Sequence, residues 1–340
     1  MIGERLTPLP NPPPERGREL RKDPPMTDIR TVAVFGASGR QGFAQISALL
    51  EAGYWPRGLM RNPARFPFDI PDGLSLMAAD YTDEASLQRA MTKADAVFLT
   101  PPSFTDVGQG FDNAVRVAGI ATEMGVKRLV LNTSMYVPDE PMGEPIYDGR
   151  LALENAIEAT GVPLTVFRPV LFMDNLLTDW VRPKLNSEDA FIYPHGPHMQ
   201  ANWISLADVG RFMTASLADD SLIGERMVIG GPETFQPADV AAILSTVLGR
   251  EISYRKSTPA EFGELMNGIF SDVLDIPKEA HIQSLADFYT YNNASNAKPM
   301  VVDMAAVLER IPVKLTRLED WARQQDWSMP DGDAPRPVGG

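Results

Sequence analysis

The segment TVAVFGASGRQGF, residues 31–43, constrains the fold of this chain more than any other stretch. An apolar run meets three glycines, Gly36, Gly39 and Gly42, and a helix-forming segment follows them. Gly36 would allow a tight turn after a strand, Gly39 the approach of a phosphate to backbone N–H groups, and Gly42 the packing of the helix on the strand. A plain turn would use the same residues, so the loop indicates a dinucleotide site only in a wider α/β context.

That context is an alternation of short apolar runs with helix-like segments. Five runs are apolar at consecutive positions, as expected for strands that helices cover on both faces. These predicted strands are residues 31–35, 74–78, 96–100, 128–134 and 164–168. A weaker strand from Tyr54 is placed mostly after Pro56, because proline removes a ladder donor. The predicted helices between them include 40–52, 83–93, 107–124 and 150–160. Repeated βα units of this spacing predict an α/β fold with a parallel, doubly wound Rossmann sheet.

After the fifth run the alternation ends and helix-rich segments dominate. We predict a Rossmann domain over residues 29–169, joined by a returning strand at 225–231, and a smaller, discontinuous, helix-rich substrate lobe over most of 170–328. Residues 1–28, with seven prolines, and residues 329–340 are predicted to be disordered tails. Ligands of such folds lie at the carboxyl edge of the strands, so we expect the substrate in the cleft between domain and lobe.

Composition narrows the functional classes. A net charge of −14 disfavours nucleic acid and anionic membranes as partners. The sequence has no cysteine, which excludes disulfides and a cysteine nucleophile and fits a reducing cytoplasm. No run approaches the roughly 18 apolar residues of a membrane helix, so we expect a cytoplasmic protein without a membrane partner. The sequence has three histidines, His195, His198 and His281, and the segment HGPHM that holds the first two lacks carboxylates at ligand spacing, so we predict no metal site and place this segment in a loop at the cleft rim.

One charged residue after the glycine loop indicates which dinucleotide is bound. NAD-selective proteins usually carry an acid at the end of the second strand. This chain has Arg61 there, with Arg57 and Arg65 nearby. A guanidinium matches a 2′-phosphate, so NADP is favoured over NAD, and Arg40 could add a second positive charge. The alternative interpretation of Arg61 is a solvated arginine at a strand end.

Two further strand ends would line the same cofactor. Asp80, at the end of the third strand, could accept a hydrogen bond from the adenine amino group, with Tyr81 beside the ring. Alternatively, Asp80 caps the next helix. Thr100 and Pro101, followed by Pro102 at the end of the fourth strand, would line the ribose and the pyrophosphate.

Six segments together resemble the NmrA-like group of atypical short-chain dehydrogenases. In order, they are GASGRQG, RNPARF, AADYTDEASL, GVKRLVLNTS, GVPLTVFRPVLFMDN and WISLADVGRF. The match runs from about Thr31 to about Arg255, and the remainder is only loosely similar. The resemblance implies a cytosolic NADP-binding Rossmann protein. Some members reduce quinones, triarylmethane dyes or plant phenylpropanoids, and others act as redox sensors without turnover.

The resemblance also assigns roles to the residues that match the family motifs. The phosphate loop would be Gly36, Ala37, Ser38, Gly39, Arg40, Gln41 and Gly42, with Arg61 at the 2′-phosphate. Thr100 and Pro101 match the cofactor-lining end of the fourth strand, and Asn132, Thr133 and Ser134 match the end of the fifth, near the nicotinamide. The segment that closes over the nicotinamide is matched by Arg168, Pro169, Phe172 and Asn175.

A catalytic acid is harder to assign. Orthodox short-chain dehydrogenases protonate a carbonyl product with a tyrosine whose pKa is lowered by a lysine four residues later, aided by an earlier serine. Here Arg150 follows Tyr147 at spacing three, and Ser134 lies 13 residues before the tyrosine. Arginine stays charged, so Arg150 could orient ribose or stabilise negative charge but not act as the acid. The alternatives are a surface ion pair with Glu154, a packing role for Tyr147, and Tyr136 as the donor.

These observations predict an NADPH-dependent oxidoreductase. It would transfer hydride from nicotinamide C4 to a small apolar acceptor, conjugated or carbonyl, such as a quinone, enone or aromatic compound. A conjugated acceptor becomes a stabilised anion that water protonates, so a dedicated acid is not required. A non-catalytic NADP-binding redox sensor is the alternative. Apolar side chains that include Phe172, Met173, Trp180 and Met199 are expected to line the substrate pocket or the core, and the oligomeric state stays open.

Overall fold

A seven-stranded parallel sheet is the centre of the computed structural model, which describes residues 27–101, 107–270, 277–295 and 298–328. The predicted tail 329–340, Pro102 and all but two residues of the predicted tail 1–28 lie outside these ranges. The strands are β1 (Thr31–Phe35), β2 (Trp55–Met60), β3 (Ser75–Ala78), β4 (Ala96–Leu99), β5 (Arg128–Asn132), β6 (Leu164–Pro169), β7 (Leu171–Phe172), β8 (Ala190–Tyr193), β9 (Ala201–Ile204), β10 (Arg226–Ile229), β11 (Thr234–Phe235) and β12 (Ser253–Lys256).

Helices connect most of these strands. They are α1 (Arg40–Glu51), α2 (Glu84–Met91), α3 (Val107–Glu123), α4 (Pro145–Glu158), α5 (Arg182–Glu188), α6 (Leu206–Ser216), α7 (Pro237–Leu248), α8 (Pro259–Phe270), α9 (Lys278–Ala294), α10 (Met304–Arg310) and α11 (Leu318–Arg323). The sheet order is β10-β6-β5-β4-β1-β2-β3, and every pairing in it is parallel. The predicted doubly wound Rossmann sheet is confirmed.

Most boundaries differ from the sequence prediction by one or two residues, and two of the differences involve a proline. Strand β2 begins at Trp55, before Pro56. The Trp55 N–H donates to Arg30 O on the β1 side, so Pro56 faces β3, where pairing starts only at Arg57 and Ser75. Helix α4 begins five residues before the predicted residue 150, because its proline is the first helical residue, where no N–H partner is needed.

Helices cover both faces of the sheet, which explains why its strands are apolar at successive positions. On one face, α2, α3 and α4 bury residues such as Leu87, Val117 and Ile157 against alternate strand residues. On the other face lie α1, α6 and the segment 302–315, which includes α10. Among the described residues, every helix is too short or too polar to cross a membrane.

The second lobe starts at the carboxyl edge of the sheet, since β7 follows β6 after one residue. It contains a three-stranded sheet of order β11-β9-β7 and the parallel pair β8 and β12. Its core is rich in aromatic side chains, including Phe191, Tyr193, Trp203, Phe288 and Trp321. Both the lobe and the sheet therefore border the edge where ligands of such folds bind.

The crossing of α1 and α6 depends on one glycine. A Cβ on Gly210 of α6 would lie 2.8 Å from the backbone oxygen of Ala44 in α1. Such a separation forces backbone movement, so only glycine permits the two helices to approach this closely.

A matched pair of Gly→Ala substitutions tests this contact. Gly210→Ala is expected to lower the free energy of unfolding by about 1–3 kcal/mol, the usual effect of overpacking. Gly119→Ala in α3 is the control, because its Cβ would meet no atom within 4 Å. Alanine favours helix by up to about 1 kcal/mol over glycine, so this variant is expected to be equally or more stable. Urea denaturation measures both, and equal effects would contradict the interpretation.

Candidate active site

The glycine loop forms a tight turn between β1 and α1. Gly36 has φ +69°, a conformation that side chains disfavour, and its carbonyl oxygen accepts the Gly39 N–H at 2.9 Å. A Cβ on Gly42 would lie 2.2 Å from the same Gly36 oxygen. The helix therefore starts in contact with the turn, as the spacing of the glycines indicates.

The amino end of α1 is open for an anion. Gly39 occupies the N-cap position and provides no side-chain cap, so it leaves the first N–H groups of the helix to a ligand. A Cβ added to Gly36 would meet no atom within 4 Å. A pocket lies beside this open space, lined by Phe35, Gly36, Ser38, Leu59, Met60, Ala79 and Tyr81. A loop with free space, an uncapped helix and an adjoining apolar pocket fits the phosphate and adenosine parts of a dinucleotide.

Of the predicted adenosine-binding residues, Tyr81 lines that pocket, and Arg61 and Asp80 directly follow the lining residues Met60 and Ala79. Arg61 is exposed directly after β2. The Asp80 carboxylate accepts hydrogen bonds from the N–H and hydroxyl of Thr82, which lower the pKa of Asp80, and the nearby charge of Arg61 adds to this effect. Tyr81 stacks on Phe35 with ring centroids 5.4 Å apart, and burial raises its pKa. The alternative of Asp80 as a helix cap is wrong, because Asp83 caps α2.

An aromatic cluster supports the segment after Arg61. Phe43 of α1 stacks on Phe68 with ring centroids 4.1 Å apart, and Phe66 contacts both rings. Sequence reasoning missed this cluster, although the pattern FPF after an arginine-rich stretch was its visible signal. The cluster fixes the segment that follows β2 against the same helix that starts at the glycine loop.

Arg40 links the glycine loop to the start of the second lobe. Its guanidinium donates to the backbone oxygen of Asp174 at 2.9 Å and to the carboxylate at 3.4 Å. The same carboxylate accepts the Leu206 N–H at the start of α6. Burial raises the pKa of Asp174, and the charge of Arg40 opposes this shift. The predicted second cation of the cofactor site is thus engaged with a lobe residue.

Polar side chains form a network at the carboxyl ends of β4 and β5. Gln41 Nε2 donates to Ser134 Oγ at 3.0 Å, and Asn132 Nδ2 donates to Gln41 Oε1 at 2.8 Å. Thr100 Oγ1 accepts from Gln45 at 2.9 Å and from Asn132 at 3.4 Å. The structure therefore brings together residues predicted from the glycine loop and from both strand ends.

Other predicted residues of this region have structural contacts. The Thr133 hydroxyl lies among backbone oxygens, 2.7 Å from Met135 O and 3.1 Å from Phe167 O. Pro101 and Pro169 are buried at their strand ends, and Phe172 packs partly against the core under the sheet. Asn175 donates to the Tyr193 hydroxyl inside the second lobe.

Tyr147 is fully buried rather than exposed to the cleft. Its hydroxyl donates to Asn292 Oδ1 of α9 at 2.7 Å, and its ring contacts Tyr136, Phe288 and Tyr291. Burial raises the pKa of Tyr147, whereas a tyrosine acid in a Tyr–Lys pair needs a lowered pKa. These contacts are those of a packing residue.

Tyr136 and Arg150 differ from Tyr147 in their exposure. Both are half-buried. Burial and the charge of Asp139 raise the pKa of Tyr136. Burial lowers the pKa of Arg150 to about 10, so this side chain is still cationic at neutral pH. Glu154, considered as its surface partner, is instead fully buried.

A buried ion pair holds the segment after β5. Arg168 binds Glu154 through two hydrogen bonds of 3.0 and 2.7 Å, and its third nitrogen donates to Asp139 at 2.7 Å. Sequence analysis placed Arg168 beside the nicotinamide by resemblance and did not foresee this pair. Arg168 is 1% exposed, so its guanidinium faces protein atoms.

His195 corrects the expectation of a histidine at the cleft rim. It is buried among Tyr193, Tyr289 and the Tyr254 hydroxyl, which donates to His195 O. Burial lowers the pKa of His195 to about 3, so the ring is neutral at physiological pH. Met173, Trp180 and Met199 pack in or against the same lobe core.

The model of the NmrA-like family matches residues 28–322. The chain belongs to the NmrA-like family. This membership confirms the predicted resemblance and extends it past Arg255, where the motifs had become only loosely similar.

Three proteins illustrate what this NmrA-like chain is similar to. It is 32% identical over 226 residues to the (4-alkanoyl-5-oxo-2,5-dihydrofuran-3-yl)methyl phosphate reductase of Streptomyces griseus. The aligned region covers 66% of this chain and 76% of the relative. Triphenylmethane reductase of Citrobacter sp. with NADP(H) superposes with a TM-score of 0.67, 20% identity and coverage of 86% and 99%. The NADPH complex of an Escherichia coli quinone oxidoreductase gives a TM-score of 0.66, 20% identity and coverage of 86% and 98%.

All three relatives are oxidoreductases, in agreement with the predicted class of enzyme. The two solved structures share the fold of this chain and hold NADP(H) or NADPH.

Removal of one hydroxyl tests the structural role of Tyr147. Tyr147→Phe is expected to lower the free energy of unfolding by about 1 kcal/mol, because Asn292 Oδ1 loses its donor. It should leave kcat with a quinone acceptor essentially unchanged. Tyr254→Phe, which removes a part-buried hydroxyl that donates to the backbone oxygens of Tyr193 and His195, is the matched control for stability. A folded Tyr147→Phe variant with kcat reduced about 100-fold would identify Tyr147 as the acid instead.

Proposed function

We propose that this chain is an NADPH-dependent reductase of small apolar acceptors with a conjugated or carbonyl group, such as quinones, enones or aromatic compounds. The observation that carries the proposal is the glycine loop. Its turn at Gly36, the uncapped amino end of α1 and the adjoining apolar pocket are suited to one dinucleotide. The reductase relatives support the class of reaction.

The residues around the pocket favour NADPH over NADH. Arg61 is exposed after β2, where an NAD-selective protein would carry an acid. A guanidinium can bind a phosphate through two hydrogen bonds, and Arg61 carries the positive charge that the 2′-phosphate needs. NADPH, when bound, supplies a hydride from C4 of its nicotinamide.

The described side chains favour acceptors that need no protein acid. Tyr147 is buried against α9, and its raised pKa makes it a poor source of a proton. Arg150 is cationic and can stabilise negative charge, but it cannot release a proton at neutral pH. The electron pair that a quinone or enone receives becomes delocalised, and water then protonates the anion.

The relatives act on acceptors of this chemical kind. The Streptomyces griseus relative is named for an unsaturated oxo-dihydrofuran, and the structural relatives for a quinone and for triphenylmethane dyes.

A non-catalytic NADP-binding redox sensor is the second candidate. The burial of Tyr147 favours it, because a protein without turnover has no need of an acid. The two candidates share the cofactor and differ in whether an acceptor is reduced.

A screen of acceptors tests the proposal. We expect the purified protein to oxidise NADPH, followed at 340 nm, with at least one quinone, enone or triarylmethane dye. Controls without acceptor and without protein exclude background oxidation. Tight NADPH binding with no turnover on any acceptor would contradict the reductase and favour the sensor.

Arg61 provides a separate prediction on cofactor choice. Arg61→Ala is expected to weaken NADPH binding about 10- to 100-fold, the value of a charge-assisted hydrogen-bonded pair, and to leave NADH binding unchanged. Arg89→Ala removes the same charge from an exposed position of α2, where the arginine pairs with Asp83. This control variant should change neither the NADPH affinity nor the NADH affinity. Fluorescence titration measures both affinities. Equal affinity of the unsubstituted protein for NADH and NADPH would refute the preference.

A further inference from the structure

The side chain of Gln41 faces Ser134 across the entrance of the cleft. Gln41 belongs to the first turn of α1, whereas Ser134 follows β5 by two residues. The two meet at the carboxyl edge of the sheet, where acceptors of such folds are expected. Their 93-residue separation in sequence hid this contact from sequence analysis.

The backbone N–H of Ser134 determines how the side-chain amides of Asn132 and Gln41 are oriented. The Ser134 N–H can only donate, and it donates to Asn132 at 2.9 Å, so the facing Asn132 atom is Oδ1. Asn132 Nδ2 then faces Gln41 at 2.8 Å, so that Gln41 atom is Oε1. The remaining amide nitrogen of Gln41 therefore faces Ser134 Oγ at 3.0 Å.

This orientation decides the role of the Ser134 hydroxyl. The hydroxyl oxygen accepts from Gln41 Nε2, so the hydroxyl proton must be donated to a different atom. Within the protein that atom is Gln41 Oε1 at 3.2 Å, which is longer than a usual O–H···O bond of about 2.7–2.8 Å. That oxygen already accepts from Asn132. A ligand oxygen would be a better partner for the serine proton.

The backbone at Ser134 supports a functional position. Ser134 has φ +61°, a left-handed conformation that is uncommon for residues other than glycine. The bond from its N–H to Asn132 holds the residue there. Such conformations persist where surrounding contacts determine them, and they concentrate at binding sites.

We propose that Gln41 is a positioning residue, which directs the Ser134 hydroxyl so that it donates to the oxygen of a bound carbonyl or quinone acceptor. The inference rests on the proposed function and names the group that stabilises the developing oxyanion. The serine proton is shared in a hydrogen bond and not transferred. Hydride adds to the acceptor, negative charge gathers on its oxygen, and water supplies the proton.

Product binding tests the inference without turnover. Calorimetry would measure the dissociation constant of a hydroquinone from the protein saturated with NADP. Gln41→Leu and Ser134→Ala are each expected to weaken hydroquinone binding about tenfold, the value of one hydrogen bond. Because Gln41 acts through Ser134, the double variant should bind no more weakly than Ser134→Ala alone. Gln88→Leu, which alters a helical glutamine that bonds to Glu84, is the control and should not change binding.

Turnover with two acceptors separates positioning from general damage. The reacting carbon of a triarylmethane cation carries no oxygen, so loss of the Ser134 donor should lower its reduction less than the reduction of a quinone. Quinone reduction by Gln41→Leu, measured at saturating NADPH, should fall on the order of 10- to 100-fold in kcat. Equal losses with both acceptors would overturn the inference.

The outcomes distinguish the two proposals. No turnover by the unsubstituted protein with any acceptor contradicts the proposed function, while the binding series still judges Gln41. Hydroquinone binding that is equal in Gln41→Leu and the unsubstituted protein, additive effects in the double variant, or no hydroquinone binding at all overturns the inference.

Discussion

Helix α1 begins so close to the end of β1 that one methyl group on Gly42 would lie 2.2 Å from the Gly36 oxygen. The position of α1 in turn affects two segments that are distant in sequence, the start of the second lobe and the end of β5, because the first turn of α1 contacts both of them. Arg40 in its first turn binds Asp174 at the start of the second lobe, and Gln41 binds Ser134 after β5. The glycine loop therefore also determines where the contacts of Arg40 and Gln41 form, in addition to its predicted role in phosphate binding. Movement of α1 would displace the candidate cofactor site and the proposed acceptor site together.

On the opposite side of the cleft, the ion pairs of Arg168 stabilise the segment after β5. Arg168 at the end of β6 is buried with Glu154 and reaches the exposed Asp139. A buried ion pair adds little net stability, because desolvation of both charges offsets their attraction. Its contribution is geometric, since two hydrogen bonds to Glu154 and one to Asp139 fix the segment that carries Ser134 and Tyr136. Loss of Glu154 would leave the buried Arg168 guanidinium paired with the exposed Asp139 but without its buried partner, and removal of one partner of a buried pair costs about 3–5 kcal/mol.

The sequence predicted those elements whose local pattern of apolar residues and glycines reflects the fold. Strands such as β4 and β5 are apolar at every position because helices cover both faces of the sheet, and the spacing of the glycines reports the turn before α1. Sequence prediction was limited where partners are distant in sequence. Tyr147 finds Asn292 145 residues later, and Arg40 finds Asp174 134 residues later. Hydrophobic periodicity carries no information on such pairs, so the burial of Tyr147 could be recognised only in the structure.

The position of Tyr147 restricts the chemistry of the acceptor. Hydride addition to an isolated ketone or aldehyde leaves an alkoxide, which is strongly basic and requires an acid in the transition state. A quinone or an enone leaves a phenolate or an enolate, whose charge is delocalised and which one hydroxyl donor and a nearby cation can stabilise. Ser134, oriented by Gln41, is such a donor. The proposed reductase should therefore rank acceptors by the stability of their reduced anion, with quinones before enones and simple ketones last.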